Sequence, residues 1–114
     1  MSQITYRKLV RDKVPEYILQ DGKKAVTKRL DDDELYEDAL REKLTEEMDE
    51  VLIASEADEL QAELADLFEV AYAYARCYRI SPEDIETTRL AKLNERGGFE
   101  QRLFLEKVDD AGDK

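Results

Sequence analysis

The sequence predicts an all-α fold on three grounds. Glycine and proline are scarce, at four and two in 114 residues. The composition is 42% hydrophobic and 41% charged, a balance that suits helices with heavily solvated outer faces. Three long stretches also space their apolar residues at the helical period. A single domain spanning residues 1–114 accommodates them, with an N-terminal arm at 1–14 and a frayed tail at 108–114. A chain of this length builds a modest core and gains from a partner subunit.

From Tyr6 to Asp21 the chain reads as an extended arm entering a short helix, with Asp12 as its cap and Pro15 in the first turn. Asp21-Gly22 ends that helix. Residues 25–30 alternate in the manner of a short strand. Asp31 to Asp33 cap the first long helix, placed at about 32–55 by its apolar spacing. A break around Ser55-Glu56-Ala57-Asp58 leads to a second long helix at about 58–79. Ser81-Pro82-Glu83-Asp84 signals the start of a third: a serine cap, proline at N1, and acids in the first turn. That helix ends at Gly97-Gly98. Residues 102–105 suit a second short strand, paired with the first.

From Ala62 to Ala75 the second long helix is apolar nearly all round, interrupted only by Glu63, Asp66 and Glu69. Such a helix must be covered on most sides. Completion of the bundle by homo-oligomerisation, as a dimer or a tetramer, is therefore expected. Lone Cys77 has no partner for an internal disulfide and is expected as a buried free thiol.

The formal net charge of −11 disfavours a nucleic-acid surface, which needs a basic patch. No apolar run reaches the ~18 residues of a membrane helix, and Met1 to Lys8 lacks the apolar stretch of a secretory signal. A cytoplasmic location is expected by default. With no histidine and one cysteine, a zinc-type site is excluded, so any metal is a hard cation held by oxygens.

Two segments share one acidic spacing, Glu46-Glu47-Met48-Asp49-Glu50 and Glu63-Leu64-Ala65-Asp66. With 29 acids in the chain, about seven acidic i,i+3 pairs arise by chance, so position must decide whether a pair matters. In the first long helix Leu40, Leu44, Met48 and Val51 form an apolar stripe. Glu47 falls within about 20° of Leu40, and Glu50 about 60° further round. In the second, Leu60, Leu64, Leu67 and Ala71 form the stripe. Glu63 and Asp66 stand at about the same offsets from Leu60 as Glu47 and Glu50 do from Leu44. A short connection favours antiparallel packing, which would bring both pairs to one edge of the seam. Four carboxylates there repel one another, and one or two Mg²⁺ ions would relieve the conflict. Acids splayed into solvent are the plainer alternative.

At these residues the chain resembles the all-α nucleoside triphosphate pyrophosphatase superfamily, which includes the MazG-like proteins and the phosphoribosyl-ATP pyrophosphohydrolases. Tyr6-Arg-Lys-Leu-Val-Arg-Asp-Lys-Val-Pro-Glu16 and Arg96-Gly-Gly-Phe-Glu-Gln-Arg102 resemble the ends of its house-cleaning, MazG-like branch. The similarity covers about residues 6–106. It implies a MazG-like helical bundle with Glu47, Glu50, Glu63 and Asp66 as Mg²⁺ ligands, Mn²⁺ being the substitute. It also implies cleavage of a nucleoside triphosphate between its α and β phosphates, giving a monophosphate and pyrophosphate. Glu46 or Glu47 would then orient the attacking water.

Basic residues must meet the phosphate charge that a metal leaves exposed. Lys8, Arg11 and Lys13 in the arm are candidates, as are Lys92, Arg96 and Arg102 near the third helix's end. Ordinary surface charge, and for Arg96 the helix dipole, are the competing roles. Tyr6 and Phe99 are candidates to stack on a base, with core packing the simpler expectation. Phosphoribosyl-ATP pyrophosphohydrolases usually carry a Tyr-His pair shortly after Glu-x-x-Asp. Here Asp66 is followed by Leu67-Phe68-Glu69, and the chain has no histidine. Removal of non-standard nucleotides is accordingly favoured over a step of histidine biosynthesis. A non-catalytic helical interaction or sensor module is the rival from another class.

Overall fold

The computed structural model describes residues 3–110 and divides into two compact units, Met1–Ser81 and Pro82–Lys114. The first unit holds α1 (Val14–Gln20), α2 (Asp33–Ile53) and α3 (Ala57–Arg76); the second holds α4 (Pro82–Arg96). The regular structure of the described residues is entirely helical.

Pro15 sits in the first turn of α1 as expected, but Asp12 does not cap it. The N-cap is Lys13, in αR backbone and without a side-chain cap bond. A turn replaces the cap, in which the Val14 N–H donates to the Arg11 carbonyl at 3.0 Å. Gly22 closes the helix at φ 80°, and the Lys23 N–H returns to the Ile18 carbonyl at 3.1 Å. This backbone position favours glycine.

Asp32 starts α2: its carboxylate accepts from the N–H groups of Glu34 at 2.9 Å and Leu35 at 3.1 Å. Asp33 and Glu34 follow in the first turn, where the helix dipole favours negative charge. Only residues 54–56 join α2 to α3. At that junction Glu59 folds back to accept the Ser55 N–H at 3.0 Å, satisfying a donor just outside the helix. Helix α3 ends at Arg76, earlier than its apolar pattern suggests. Arg79 turns left-handed at φ 60°, and the Ile80 N–H closes onto the Ala75 carbonyl at 3.1 Å.

The second unit follows its sequence signals closely. Its helix begins at Pro82 and ends at Arg96, after which Gly97 at φ 83° donates its N–H to the Leu93 carbonyl at 2.8 Å.

The two expected strands are absent among the described residues. Segments 25–30 and 102–105 are irregular, and Val26, Leu103, Phe104 and Leu105 are exposed. Apolar alternation stabilises a strand only when one face is buried and a neighbour completes the ladder. Part of the expected frayed tail, 111–114, lies outside the described residues, as do residues 1 and 2 of the arm.

α2 and α3 pack against each other as an antiparallel hairpin. Its sense is visible in two cross-links at its open end: Arg41 Nε donates to the Tyr74 hydroxyl at 3.2 Å, and the Tyr78 hydroxyl to Glu37 at 2.8 Å. The core is thin. Among the described residues Leu40, Val70 and Ala75 are the buried apolar ones, and Glu47 is buried as well at 8% exposure. The expected α3 stripe is only partly right. Leu67 and Ala71 are half-buried, whereas Leu60, Leu64 and Phe68 are exposed. The helix is rotated towards its acid side, so that Glu63, Asp66 and Val70 are the more buried residues. Cys77, just past α3, is exposed and not buried as expected, because the helix has already ended there. No described helix is long and apolar enough to cross a membrane.

The Asp32 cap generates a stability prediction. Asp32→Ala should lower stability by about 1 kcal/mol, since two helix N–H groups lose their acceptor. Urea unfolding followed by circular dichroism reads this directly, and an unchanged midpoint would contradict the assigned role.

Candidate metal centre

The antiparallel hairpin brings one acid of the α2 pair together with both acids of the α3 pair. Glu47 comes from the buried face of α2, and Glu63 and Asp66 from successive turns of α3. Each offers a carboxylate oxygen, and the three oxygens lie within 4.8 Å of one another. Opposed ligands of Mg²⁺ stand about 4.1 Å apart, and those of Ca²⁺ about 4.8 Å. One ion of either kind spans oxygens this close once the side chains draw in around it. The donors are all hard oxygens, as such cations require.

The electrostatics show the strain of this arrangement. Burial pushes the Glu63 carboxyl above its usual value, and the charges of Asp66, Glu50, Glu47 and Glu59 push it further. Glu50 thus acts on the cluster electrostatically. It is exposed on α2 and lies outside the group of three oxygens.

Cations line the same cluster. Lys43 Nζ stands 3.1 Å from Glu46 and 3.4 Å from Glu47, bridging the two along α2. From the arm, Lys8 Nζ reaches Glu46 at 3.3 Å, and Arg11 Nη2 reaches Asp66 at 2.8 Å. The arm bends at Arg7, which adopts a left-handed φ of 52°, and Lys8 also lies 5.5 Å over the Tyr6 ring. Burial would raise the Glu46 carboxyl, but hydrogen bonds from Lys43 and Lys8 outweigh it and leave the group below its usual value. Glu46 therefore stays ionised.

The structure thus brings Glu46, Glu47, Glu63, Asp66, Lys8 and Arg11 together, with Glu50 on the flank. Lys13 forms the N-cap of α1 and has no ion pair among the described residues. Lys92, Arg96 and Arg102 belong to the second unit, where Arg96 lies 3.6 Å from Glu95 and Arg102 turns left-handed at φ 59°. Tyr6 and Phe99 are both exposed, so neither fills a core. Sequence reasoning missed Lys43. Its i,i+3 and i,i+4 spacing to Glu46 and Glu47 was the available signal.

A helical hairpin that converges hard oxygen donors on one point, with cations at the rim, defines an all-α protein with a candidate divalent-ion site. The chain belongs to the phosphoribosyl-ATP pyrophosphohydrolase family, whose model matches residues 15–94, and through it to the MazG-like NTP pyrophosphatase superfamily. It is, at the level of class, a pyrophosphohydrolase, a hydrolase of acid anhydrides. The matched span contains all the clustered acids and Lys43 but leaves Lys8 and Arg11 outside it. No curated protein and no solved structure matches the chain.

The raised Glu63 carboxyl makes a signed prediction. A carboxyl whose folded pKa lies above its unfolded value contributes stability that is present below the unfolded pKa and is lost as pH rises through the folded one. In chelator at pH 7, Glu63→Gln should therefore melt above the parent. The gap should close as pH falls towards the usual carboxylate value of 4.5. Melting curves across that range check it; a gap independent of pH would show that Glu63 feels no repulsion.

Proposed function

We propose that the chain is a Mg²⁺-dependent nucleoside triphosphate pyrophosphohydrolase that clears non-standard or surplus nucleotides in the cytoplasm. The observation that carries this reading is the convergence of Glu47, Glu63 and Asp66 from two helices within 4.8 Å. Glu47, Glu63 and Asp66 would hold the ion, with Glu50 completing the set from the flank of α2. When bound, the ion neutralises triphosphate charge and stabilises charge developing at the cleaved anhydride.

The chain's own residues supply the rest. Glu46 remains outside the group of three oxygens and is kept ionised by Lys8 and Lys43. It orients a water against the α–β anhydride. Water adds to phosphorus as the bridging P–O bond breaks, yielding a nucleoside monophosphate, pyrophosphate and a proton. Lys8 and Arg11 meet phosphate oxygens on the open side of the cluster. Lys13, Lys92, Arg96 and Arg102 are the further phosphate candidates. The family match itself favours a second substrate, phosphoribosyl-ATP. Against it stand the absence of histidine and the Leu67-Phe68-Glu69 run after Asp66.

This reading includes self-association. Leu60, Leu64 and Phe68, with Ala57, Gln61 and Ala65, line an apolar groove on α3, and Leu52 and Ile53 are exposed at the end of α2. A homo-oligomer, dimer or tetramer, would cover such a face. Light scattering at micromolar concentration should show at least a dimer, and a folded monomer would remove this part of the proposal.

A panel of standard and damaged nucleoside triphosphates with phosphoribosyl-ATP, assayed for pyrophosphate release, tests the function. Release should require Mg²⁺ or Mn²⁺ and stop in excess chelator. Glu47→Gln should lower turnover by at least about a hundredfold, since even residues that merely support a ligand cost up to that much. Inactivity on every member of the panel would favour the helical interaction or sensor module. Mg²⁺ at a hundred times its dissociation constant should also stabilise the fold by about 2.7 kcal/mol. Glu50→Gln should lose most activity and most of that response; full turnover would remove Glu50 from the ligand set.

A further inference from the structure

Two of the arm's cations do not point at empty solvent. Arg11 Nη2 lies 2.8 Å from Asp66 Oδ1, and Asp66 supplies one of the three clustered carboxylate oxygens. Lys8 ties the same arm to Glu46 on α2. The arm is thereby strapped to both helices of the hairpin, beside the position a divalent ion would take. Both residues precede the family-matched span.

We propose that the arm is a charge latch on the carboxylate site. Arg11 pairs with Asp66, would release it where a divalent ion is held by the carboxylates, and would then turn its freed guanidinium to a phosphate of the nucleotide. This rests on the metal and nucleotide reading above. Three physical points support it. A guanidinium and a divalent cation drawn to one carboxylate repel each other, so each weakens the other's binding by the same factor. The Arg11–Asp66 pair is well exposed, with side chains 59% and 44% accessible, so water replaces the lost bond readily. The planar fork of arginine fits phosphate oxygens better than a point charge does, giving the released side chain a stronger partner. Lys43 does not take part. It is only 15% accessible and links Glu46 and Glu47 within one helix, so it stays where it is.

The latch predicts effects of opposite sign from one substitution. Arg11→Met should bind Mg²⁺ about two- to fivefold more tightly in the absence of nucleotide, the factor equivalent to an exposed ion pair. The same variant should have a higher KM for its nucleotide. Arg11→Lys should lie between parent and Arg11→Met in both. Titration calorimetry with Mg²⁺ alone gives the affinity. Hydrogen exchange of the arm should quicken when Mg²⁺ saturates the parent, and slow again when inorganic triphosphate is added with the ion. Unchanged or weaker Mg²⁺ affinity in Arg11→Met, or arm exchange indifferent to Mg²⁺, overturns the latch. Mg²⁺ binding that shifts as described while every nucleotide stays intact would refute the hydrolase reading alone. A parent that binds no Mg²⁺ overturns both.

Discussion

Contact between α2 and α3 forces like charges together, and much of the first unit is arranged around that repulsion. Glu47 is buried at 8% exposure on α2, and the facing turns of α3 bring Glu63 and Asp66 to it. Like-charged carboxylates gathered at such separations repel one another and push their helices apart. The chain answers with cations of two kinds. Lys43, nearly buried, neutralises the α2 side from within the helix. Lys8 and Arg11 arrive from the arm and neutralise both helices from outside. The arm is therefore an electrostatic part of the hairpin although it has no regular structure of its own.

Apolar packing alone offers little against that repulsion. Three buried apolar residues among those described make a thin core, so helix ends and polar cross-links contribute beside it. At the open end of the hairpin, Arg41 binds Glu37, Asp38 at 2.8 Å and the Tyr74 hydroxyl, while Tyr78 donates to Glu37. The Tyr74 and Tyr78 rings meet edge to face at 5.8 Å. This network fixes the register of the helices far from the acids. Exposed ion pairs are each worth roughly 0–1 kcal/mol, so the network acts through its number of members and its shared geometry. The acids can then converge without setting the register themselves.

The rotation of α3 links fold to chemistry. Turning its acid side inward places Glu63 and Asp66 against α2 and turns Leu60, Leu64 and Phe68 out. The same rotation thus builds the carboxylate cluster and leaves the apolar groove beside Ala57 and Ala65. A hairpin rotated for the best leucine packing would have a thicker core and a dispersed set of acids. Function and packing compete for one helix face, and the cluster is the outcome.

The sequence by itself determined the helices and several of their ends. The Asp32 cap, the Pro82 start and the glycines at 22 and 97 act through local backbone geometry, which is written within a few residues. It also held the clustered acids, because i,i+3 spacing survives into any helix that forms. Segments 25–30 and 102–105 misled because alternation is a necessary condition for a strand, whereas a ladder partner is a tertiary fact. Asp12 misled because a backbone turn from Arg11 took the donor a cap would have satisfied. Only the tertiary structure decided the rotation of α3, and with it which carboxylates approach and which leucines face out. Only it revealed that Arg11 spends its charge on Asp66, 55 residues along the chain. Such a pairing depends on where an irregular arm lies across two packed helices, and no local periodicity encodes that position.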